Sequence, residues 1–189
     1  WFDRLFGGYS MDFSPSYQFF DFMTRLLSPY QLNPSDINPL RELLVESIDF
    51  ERLRAGGGIK LFVAATNVRT GKIKVFESQE LSASVLLASA CLPLMFRAVE
   101  VDGQHYWDGG YMGNPAIFPL IYGCDARDVV IVHINPIERE EVPTTARDIL
   151  NRMNEISFNS SLMREMRAIQ FVTDLIDSEQ VKDGRLKRM

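Results

Sequence analysis

The sequence has little of the residue types on which several common kinds of site depend. Its 189 residues include only two cysteines, Cys91 and Cys124, and two histidines. Both cysteines lie in apolar stretches, so no disulfide framework is expected and the reducing cytoplasm is the default location. Two cysteines and two histidines far apart in sequence do not make a zinc site. We expect no metal and no other cofactor.

Long apolar runs and clusters of positive charge are also missing. No window approaches the ~20 apolar residues that a membrane-spanning helix needs. The net charge is −5 and no basic patch is visible, which disfavours nucleic acid as a partner. The first residues, WFDRLFGGYS, show neither an initiator methionine nor a signal-peptide pattern. They predict a chain that begins within a protein.

What the sequence does contain is the composition of a globular domain, 46% hydrophobic and 24% charged. No internal repeat or linker is visible, so residues 1–189 are expected to form a single unit. Residues 1–32 are rich in aromatic side chains. We interpret them as packing against a neighbouring element. A surface for acyl chains or a bilayer, which would give peripheral membrane contact, is the alternative.

Strand and helix patterns alternate along the chain, which predicts an α/β fold with a largely parallel sheet. Residues 58–68 and 128–135 are apolar on both faces and predict buried strands, the first of them central. Residues 97–107 predict a β-hairpin. Its two-residue turn is Asp102-Gly103, a strong hairpin signal.

Helices are predicted in three places. Within residues 33–58, Asn38 is expected to cap a helix and Pro39 to occupy its first position. Ser82 is expected to cap a short helix that ends before Pro93. Apolar residues recur at helical spacing over 144–178, which predicts a long amphipathic helix with a break near 159–161 and a methionine-rich stripe in the core.

A second Asp-Gly pair, Asp108-Gly109, continues as Gly110 and is followed by no alternating strand. Asp108 is therefore expected at the downstream end of a strand, where open α/β sheets bind ligands. The turn is expected to need unusual backbone angles at both glycines. Asn114 and Pro115 are expected to cap and begin a short helix. The other interpretation of Asp108 is an Asx-turn, in which the carboxylate only accepts nearby backbone N–H groups.

Several motifs occur together in an order typical of a known family. They are a strand that ends in Ala-Thr-Asn, a Thr-Gly turn, Ala-Ser-Ala followed by Pro and Phe, the hairpin, Asp-Gly-Gly and Asn-Pro. These motifs occupy residues 65–67, 70–71, 88–96, 97–107, 108–110 and 114–115. In this combination the chain resembles the patatin-like phospholipase family, most strongly over residues 36–136.

The resemblance implies a three-layer α/β/α fold with a mostly parallel central sheet. It also implies lipid acyl hydrolysis by a serine-aspartate dyad without histidine. Asp108 would be the general base, with Gly109 and Gly110 in the supporting turn. The family's serine lies in a G-x-S-x-G elbow, and an upstream glycine-rich loop forms the oxyanion hole. Neither motif occurs in residues 1–189. The nearest sequences are GGYSM at 7–11, which has no glycine after the serine, and LASAC around Ser89, which lacks both glycines.

The chain is therefore expected to be the C-terminal part of a patatin-like domain. The half that carries the nucleophile would be a separate chain or a lost segment, and the partner strands of 59–66 and 128–135 would be absent with it. Alone, the chain would be inactive; with its partner it would be a phospholipase A-like lipid acyl hydrolase. Two alternatives remain: a polyester or small-ester hydrolase with the same dyad, and a non-catalytic fragment or assembly partner.

A dyad places one further demand on Asp108. An exposed aspartate is a weak base at neutral pH, so burial must raise its pKa. Tyr106, Trp107 and Tyr111 are expected to supply the apolar cover. Neither His105 nor His133 is expected to be catalytic.

Overall fold

A four-stranded sheet carries the core of the protein. The computed structural model describes residues 14–126 and 128–178. The strands are β1 (Phe62–Asn67), β2 (Ile73–Glu77), β3 (Val99–Val101) and β4 (Gln104–Asp108), in the spatial order β2-β1-β4-β3. The helices are α1 (Pro15–Leu26), α2 (Pro29–Leu32), α3 (Pro39–Ser47), α4 (Phe50–Arg54), α5 (Ala83–Ser89), α6 (Phe118–Gly123) and α7 (Ala146–Asp177). Single 3₁₀ turns occupy Ser78–Glu80 and Gly109–Tyr111.

Every strand pair in the described part of the chain is antiparallel, so the prediction of a largely parallel sheet is wrong there. Two of the three pairs are joined by connections of only a few residues, 68–72 and 102–103. A parallel pair would need a crossover of roughly a dozen residues or more. β1 is central, as predicted, and both of its edges are paired, so the expectation that 59–66 lacks partner strands is also wrong.

The predicted hairpin is confirmed. Val101 pairs with Gln104, and only Asp102 and Gly103 lie between β3 and β4. Both turn residues have positive φ, 50° and 73°. Two consecutive left-handed residues give a turn whose twist matches that of the flanking strands, which is why Asp-Gly is favoured here.

Helix α5 covers one face of the sheet and completes the core. Ser82 caps it as predicted, because the serine hydroxyl accepts a hydrogen bond from Val85 N at 3.3 Å. Small residues in α5 allow it to approach the strands closely, and Ala88 is fully buried. The core cluster consists of Ala65, Phe76, Leu81, Val85, Ala88 and Tyr106.

Residues 33–58 form two helices where the sequence predicted one. Asn38 caps α3 as expected, accepting a hydrogen bond from Leu40 N at 3.1 Å. Asp49 then caps α4, accepting one from Arg52 N at 2.9 Å. Asp49 lies inside the apolar pattern, and its side chain competes with helical carbonyl groups for backbone N–H donors. The first helix therefore ends before Asp49, and a second helix begins after it.

The structure describes the aromatic-rich N-terminal segment only in part and does not describe the charged tail. Residues 1–13, which include GGYSM, and the tail at 182–189 lie outside the described residues. In α1, Phe19, Phe20 and Phe22 are exposed. Within residues 14–126 and 128–178, the neighbouring element expected to pack over them is therefore not present. No helix within these ranges is long and apolar enough to cross a bilayer.

The prediction of a buried strand at 128–135 is wrong. The segment has no regular secondary structure, and no described strand pairs with it. Its alternate apolar side chains, Val130, Val132 and Ile134, are 89%, 86% and 90% exposed. The apolar side chains of this segment would be buried if a partner strand packed against it, and no such strand is present among the described residues.

Helix α7 is one continuous helix of 32 residues, without the expected break at 159–161. Its methionine-rich stripe is not in the core: Met153, Met163 and Met166 are all exposed. The buried positions are instead Asn159, Ser161 and Leu162. The helix packs on loops rich in backbone polar groups, so polar side chains that can bond to them are buried there.

An ionic cluster ties the first half of α7 to residues 136–139. Glu155 accepts hydrogen bonds from Arg139 Nε at 3.0 Å and from Arg152 NH1 at 3.1 Å. Arg152 also donates to the carbonyl oxygens of Pro136 and Ile137, at 3.2 and 2.8 Å. One carboxylate therefore fixes both the helix and the loop before it.

This cluster should make stability depend on pH. The hydrogen bond from Arg139, then that from Arg152, lowers the pKa of Glu155 to about 2. A lowered pKa stabilises the fold above the ordinary value of 4.5, and this contribution is lost as the pH falls from there toward 2. We expect Glu155→Gln to lower the urea midpoint at pH 6, with a smaller difference from wild type at each step toward pH 2.

The matched control is Glu141→Gln, since Glu141 is exposed and forms no ion pair with the described residues. Its midpoint should follow wild type across the range. A constant difference between Glu155→Gln and wild type at every pH would contradict the role given to this carboxylate.

Candidate active site

The main chain of Asp108 is fixed at the end of β4 by contacts to two neighbouring elements. Asp108 pairs with Ala65 of β1. Its N–H donates to the carbonyl oxygen of Cys91, just after α5, at 2.9 Å. Its carbonyl oxygen accepts a hydrogen bond from the Thr66 hydroxyl at 2.8 Å. These contacts fix the backbone position from which the Asp108 side chain extends.

The two carboxyl oxygens of Asp108 have different surroundings. Oδ1 accepts a hydrogen bond from Gly110 N at 2.7 Å, which is the Asx-type contact of the simpler interpretation. Oδ2 accepts no hydrogen bond from the residues that the structure describes. One oxygen is therefore held in place, and the other remains available for a proton.

Burial raises the pKa of Asp108 above its ordinary value, and the hydrogen bond from Gly110 N opposes that change more weakly. This is the direction that a general base needs. Of the three aromatic residues expected to cover Asp108, Tyr106 is 7% exposed, Trp107 is half-buried and Tyr111 is exposed. The nearby Asp108 charge contributes to raising the pKa of the Cys91 thiol to about 11, for which burial is the main cause.

Gly109 and Gly110 are required by close packing and not, as predicted, by unusual backbone angles. Neither has a positive φ. A Cβ on Gly109 would lie 2.2 Å from the carbonyl oxygen of Ala64 in β1. A Cβ on Gly110 would lie 2.7 Å from Cε1 of Phe158 in α7. The glycines let the Asp108 turn lie against a strand on one side and a helix on the other.

Asp108 lines a cavity of about 370 Å³, within the range typical of small-molecule sites. The polar side chains on its wall are Ser89, Asp108 and Asn114. The remaining lining residues are Phe62, Val63, Ala64, Val75, Gly109, Gly110, Gly113, Pro115, Ala116 and Pro119. A carboxyl group with an open oxygen thus lies in a wall that has both polar and apolar surface.

The segment after the turn does not begin a helix at Asn114-Pro115, so that prediction is wrong; α6 starts at Phe118. Its backbone N–H groups bond to α7 instead. Asn114 N donates to the Ser161 hydroxyl at 3.0 Å, and Ile117 N donates to Glu165 Oε2 at 2.7 Å. The local sequence favoured a cap, but a helix more than 40 residues away satisfies these groups.

Sequence reasoning missed two contributors to this region. Ser89, set aside because it lacks the elbow glycines, is the last residue of α5 and lines the same cavity as Asp108. The α7 side chains that hold the cavity wall were also missed. Their only sequence signal is that Phe158, Ser161 and Glu165 share one helical face.

The histidines have other partners. His133 Nε2 lies 3.0 Å from Asn159 Oδ1, and His105 lies 4.0 Å from Glu100. Neither lines the cavity. Across residues 14–126 and 128–178, no group of three histidine, cysteine or acidic side chains could hold a metal ion.

A half-buried carboxyl group on the wall of a cavity is a group that can bind a ligand or exchange a proton with it. The family model for patatin-like phospholipases matches residues 4–121. The chain belongs to this family, and a patatin-like domain indicates lipid acyl hydrolase or phospholipase activity. The match includes the whole sheet and Asp108, and it ends before α7. No curated protein matches the chain.

Proposed function

We propose that this chain supplies the general base, Asp108, of a serine-aspartate dyad that hydrolyses acyl esters of lipids. The observation that carries the proposal is the Asp108 carboxyl group itself. Its Oδ1 is held by Gly110 N, its Oδ2 accepts no hydrogen bond from the described residues, and the residue lines the cavity. The nucleophile is a serine outside residues 1–189, since these contain no G-x-S-x-G motif.

The reaction takes two steps through one carboxylate. The serine Oγ attacks the ester carbonyl while its proton passes to Asp108 Oδ2; collapse of the tetrahedral intermediate expels the alcohol, which takes up that proton. Asp108 then accepts a proton from the water that attacks the acyl-enzyme, and the acid product leaves as the serine regains its proton. Backbone N–H groups for the oxyanion come from the same outside segment as the serine.

The proposed partner is the N-terminal half of the domain, as a separate chain or as a segment lost from this one. Residues 128–135 support it, because their alternate apolar side chains lack a partner strand among the described residues. The partner would add the parallel strands of a three-layer α/β/α fold. We place the complete protein in the cytoplasm, with peripheral membrane contact through the exposed aromatic side chains of α1.

The apolar lining of the cavity, including Phe62, Val63 and Val75, suits an acyl chain. The dyad chemistry is the same for a polyester or a small ester, so these substrates remain the second candidate. A non-catalytic assembly partner is the third. The missing G-x-S-x-G motif favours that role for residues 1–189 by themselves.

A covalent serine probe separates these functions. The protein as purified would be treated with a fluorophosphonate ester, digested and mapped by mass spectrometry. We expect one modified serine, in a G-x-S-x-G peptide outside residues 1–189. Modification of Ser89 would place the nucleophile within this chain, and no modification would leave the non-catalytic role. Intact mass would show whether a second polypeptide is present.

A further inference from the structure

One face of α7 contacts the segment that follows Asp108. Phe158, Ser161 and Glu165 are three and four residues apart, so they project from the same side of the helix. All three lie beyond residue 121, where the family match ends. The contacts of these side chains with residues 110–117 therefore come from a part of the chain that the family pattern does not describe.

Phe158 lies beside the carboxyl group of Asp108. A Cβ added to Gly110 would lie 2.7 Å from Phe158 Cε1 and 3.0 Å from Asp108 Oδ1. Both the ring edge and the carboxyl oxygen therefore lie next to Gly110. The ring also packs against Tyr111, with 5.1 Å between centroids. Phe158 thus covers the residue whose N–H holds the carboxyl group.

Ser161 and Glu165 hold the wall of the cavity. Ser161, only 4% exposed, accepts the hydrogen bond from Asn114 N, and Glu165 accepts that from Ile117 N. Backbone N–H groups away from water need such acceptors, and an unmet one is costly. The cavity wall over 113–119 therefore depends on two side chains of α7.

We propose that this face of α7, made of Phe158, Ser161 and Glu165, positions the Asp108 turn and the cavity wall for catalysis. The inference rests on the proposed function of Asp108 and extends it to residues outside the family match. A patatin-like domain cut at residue 121 would keep Asp108 and lose the α7 side chains that pack on Gly110 and bond to Asn114 and Ile117. None of the three residues is catalytic, because each acts through the backbone of 110–117.

The first test measures the Asp108 carboxyl group directly, by ¹³C NMR titration of aspartate-labelled protein. Phe158→Ala should lower the Asp108 pKa toward its ordinary value, because water would reach Oδ1. Loosening of the Gly110 N bond acts in the opposite direction, but burial is the larger cause of the shift. Phe158→Leu should keep the wild-type value, since it keeps apolar cover.

The matched control is Phe171→Ala, also on α7 and 63% exposed. It should leave the Asp108 pKa unchanged. The other titratable groups that interact with Asp108 are Cys91 and Tyr111, and all these variants retain them; Glu165, the acidic group on the contacting face, is also unchanged. An Asp108 pKa equal to wild type in Phe158→Ala would overturn the inference.

The second test does not remove a large aromatic side chain, and it can be carried out even if Phe158→Ala does not fold. Glu165→Ala removes the acceptor of Ile117 N, and we expect that amide to exchange with solvent on the order of tenfold faster. Glu165→Gln retains an acceptor oxygen and should restore slow exchange. In the complete enzyme, Glu165→Ala should raise KM more than it lowers kcat, because the wall changes while the base remains. Unchanged exchange and unchanged KM would refute the role of Glu165.

These results are separable from the proposed function. Normal ester turnover by Asp108→Asn would refute the role of Asp108 as base, whatever its titration shows. An Asp108 pKa and an Ile117 exchange rate insensitive to α7 would refute the positioning role, whatever the turnover. The two failures therefore give different patterns.

Discussion

Replacing Asp108 with asparagine should lower kcat for ester hydrolysis by about 10²–10⁴-fold, the contribution typical of a positioned general base. Asparagine Oδ1 can still accept the hydrogen bond from Gly110 N, so the turn should persist. Its amide group cannot take up a proton at neutral pH. The measurement is turnover of a short-chain ester by the complete protein, with thermal unfolding of the same samples.

The same substitution should not destabilise the protein. Burial raises the pKa of Asp108, so the fold favours its neutral form. The stability that this group contributes is complete below its ordinary pKa of 3.8 and is lost as the pH rises through the folded-state value. At neutral pH, Asp108→Asn should therefore melt at the wild-type temperature or above it. The advantage should disappear in acid.

Asp102→Asn is the matched control, since it makes the same change in the other Asp-Gly pair. Asparagine accepts the positive φ of that hairpin turn, so both activity and stability should remain as in wild type. A normal kcat in Asp108→Asn would remove the proposed dyad. A large drop in its melting temperature would instead show that the carboxylate is chiefly structural.

Gly109→Ala should cause the largest loss of stability of any substitution discussed. Its Cβ would lie 2.2 Å from the carbonyl oxygen of Ala64 and 2.6 Å from the carbonyl carbon. Both atoms belong to the backbone of β1, so they cannot move aside without disturbing the pairing of β1 with β4. We expect the free energy of unfolding to fall by about 3 kcal/mol or more, which corresponds to roughly 6–12 °C in Tm.

Gly57→Ala tests the same change where there is room. A Cβ there meets nothing within 4 Å, and Gly57 has no positive φ. Its free energy of unfolding should stay within about 0.5 kcal/mol of wild type. Equal urea midpoints for Gly109→Ala and Gly57→Ala would mean that the Asp108 turn does not lie against β1 as described.

Features that depend on a few neighbouring residues were predictable from the sequence. The Asp102-Gly103 hairpin needs only two residues that accept positive φ between alternating strands. The caps at Asn38 and Ser82 need only a side-chain oxygen beside free backbone N–H groups. The position of Asp108 at the end of a strand also followed from the local pattern. The raised pKa of Asp108 was expected only because a dyad would need it.

The prediction of a parallel sheet failed because the order of elements does not fix strand direction. β1 and β4 are joined through α5 and still pair antiparallel. The prediction that the methionine stripe of α7 lies in the core was wrong for a related reason. Helical spacing shows which side chains share a face, but not whether a partner covers that face.

By itself, the sequence determined the hairpin, the helix caps and the motif that places the chain in its family. Only the tertiary structure decided that Gly109 is needed for contact with Ala64, and that Ser161 and Glu165 hold the cavity wall. Those pairs are more than 40 residues apart along the chain. A local pattern carries the geometry of neighbouring residues, whereas contacts at that separation exist only once strands and helices have packed.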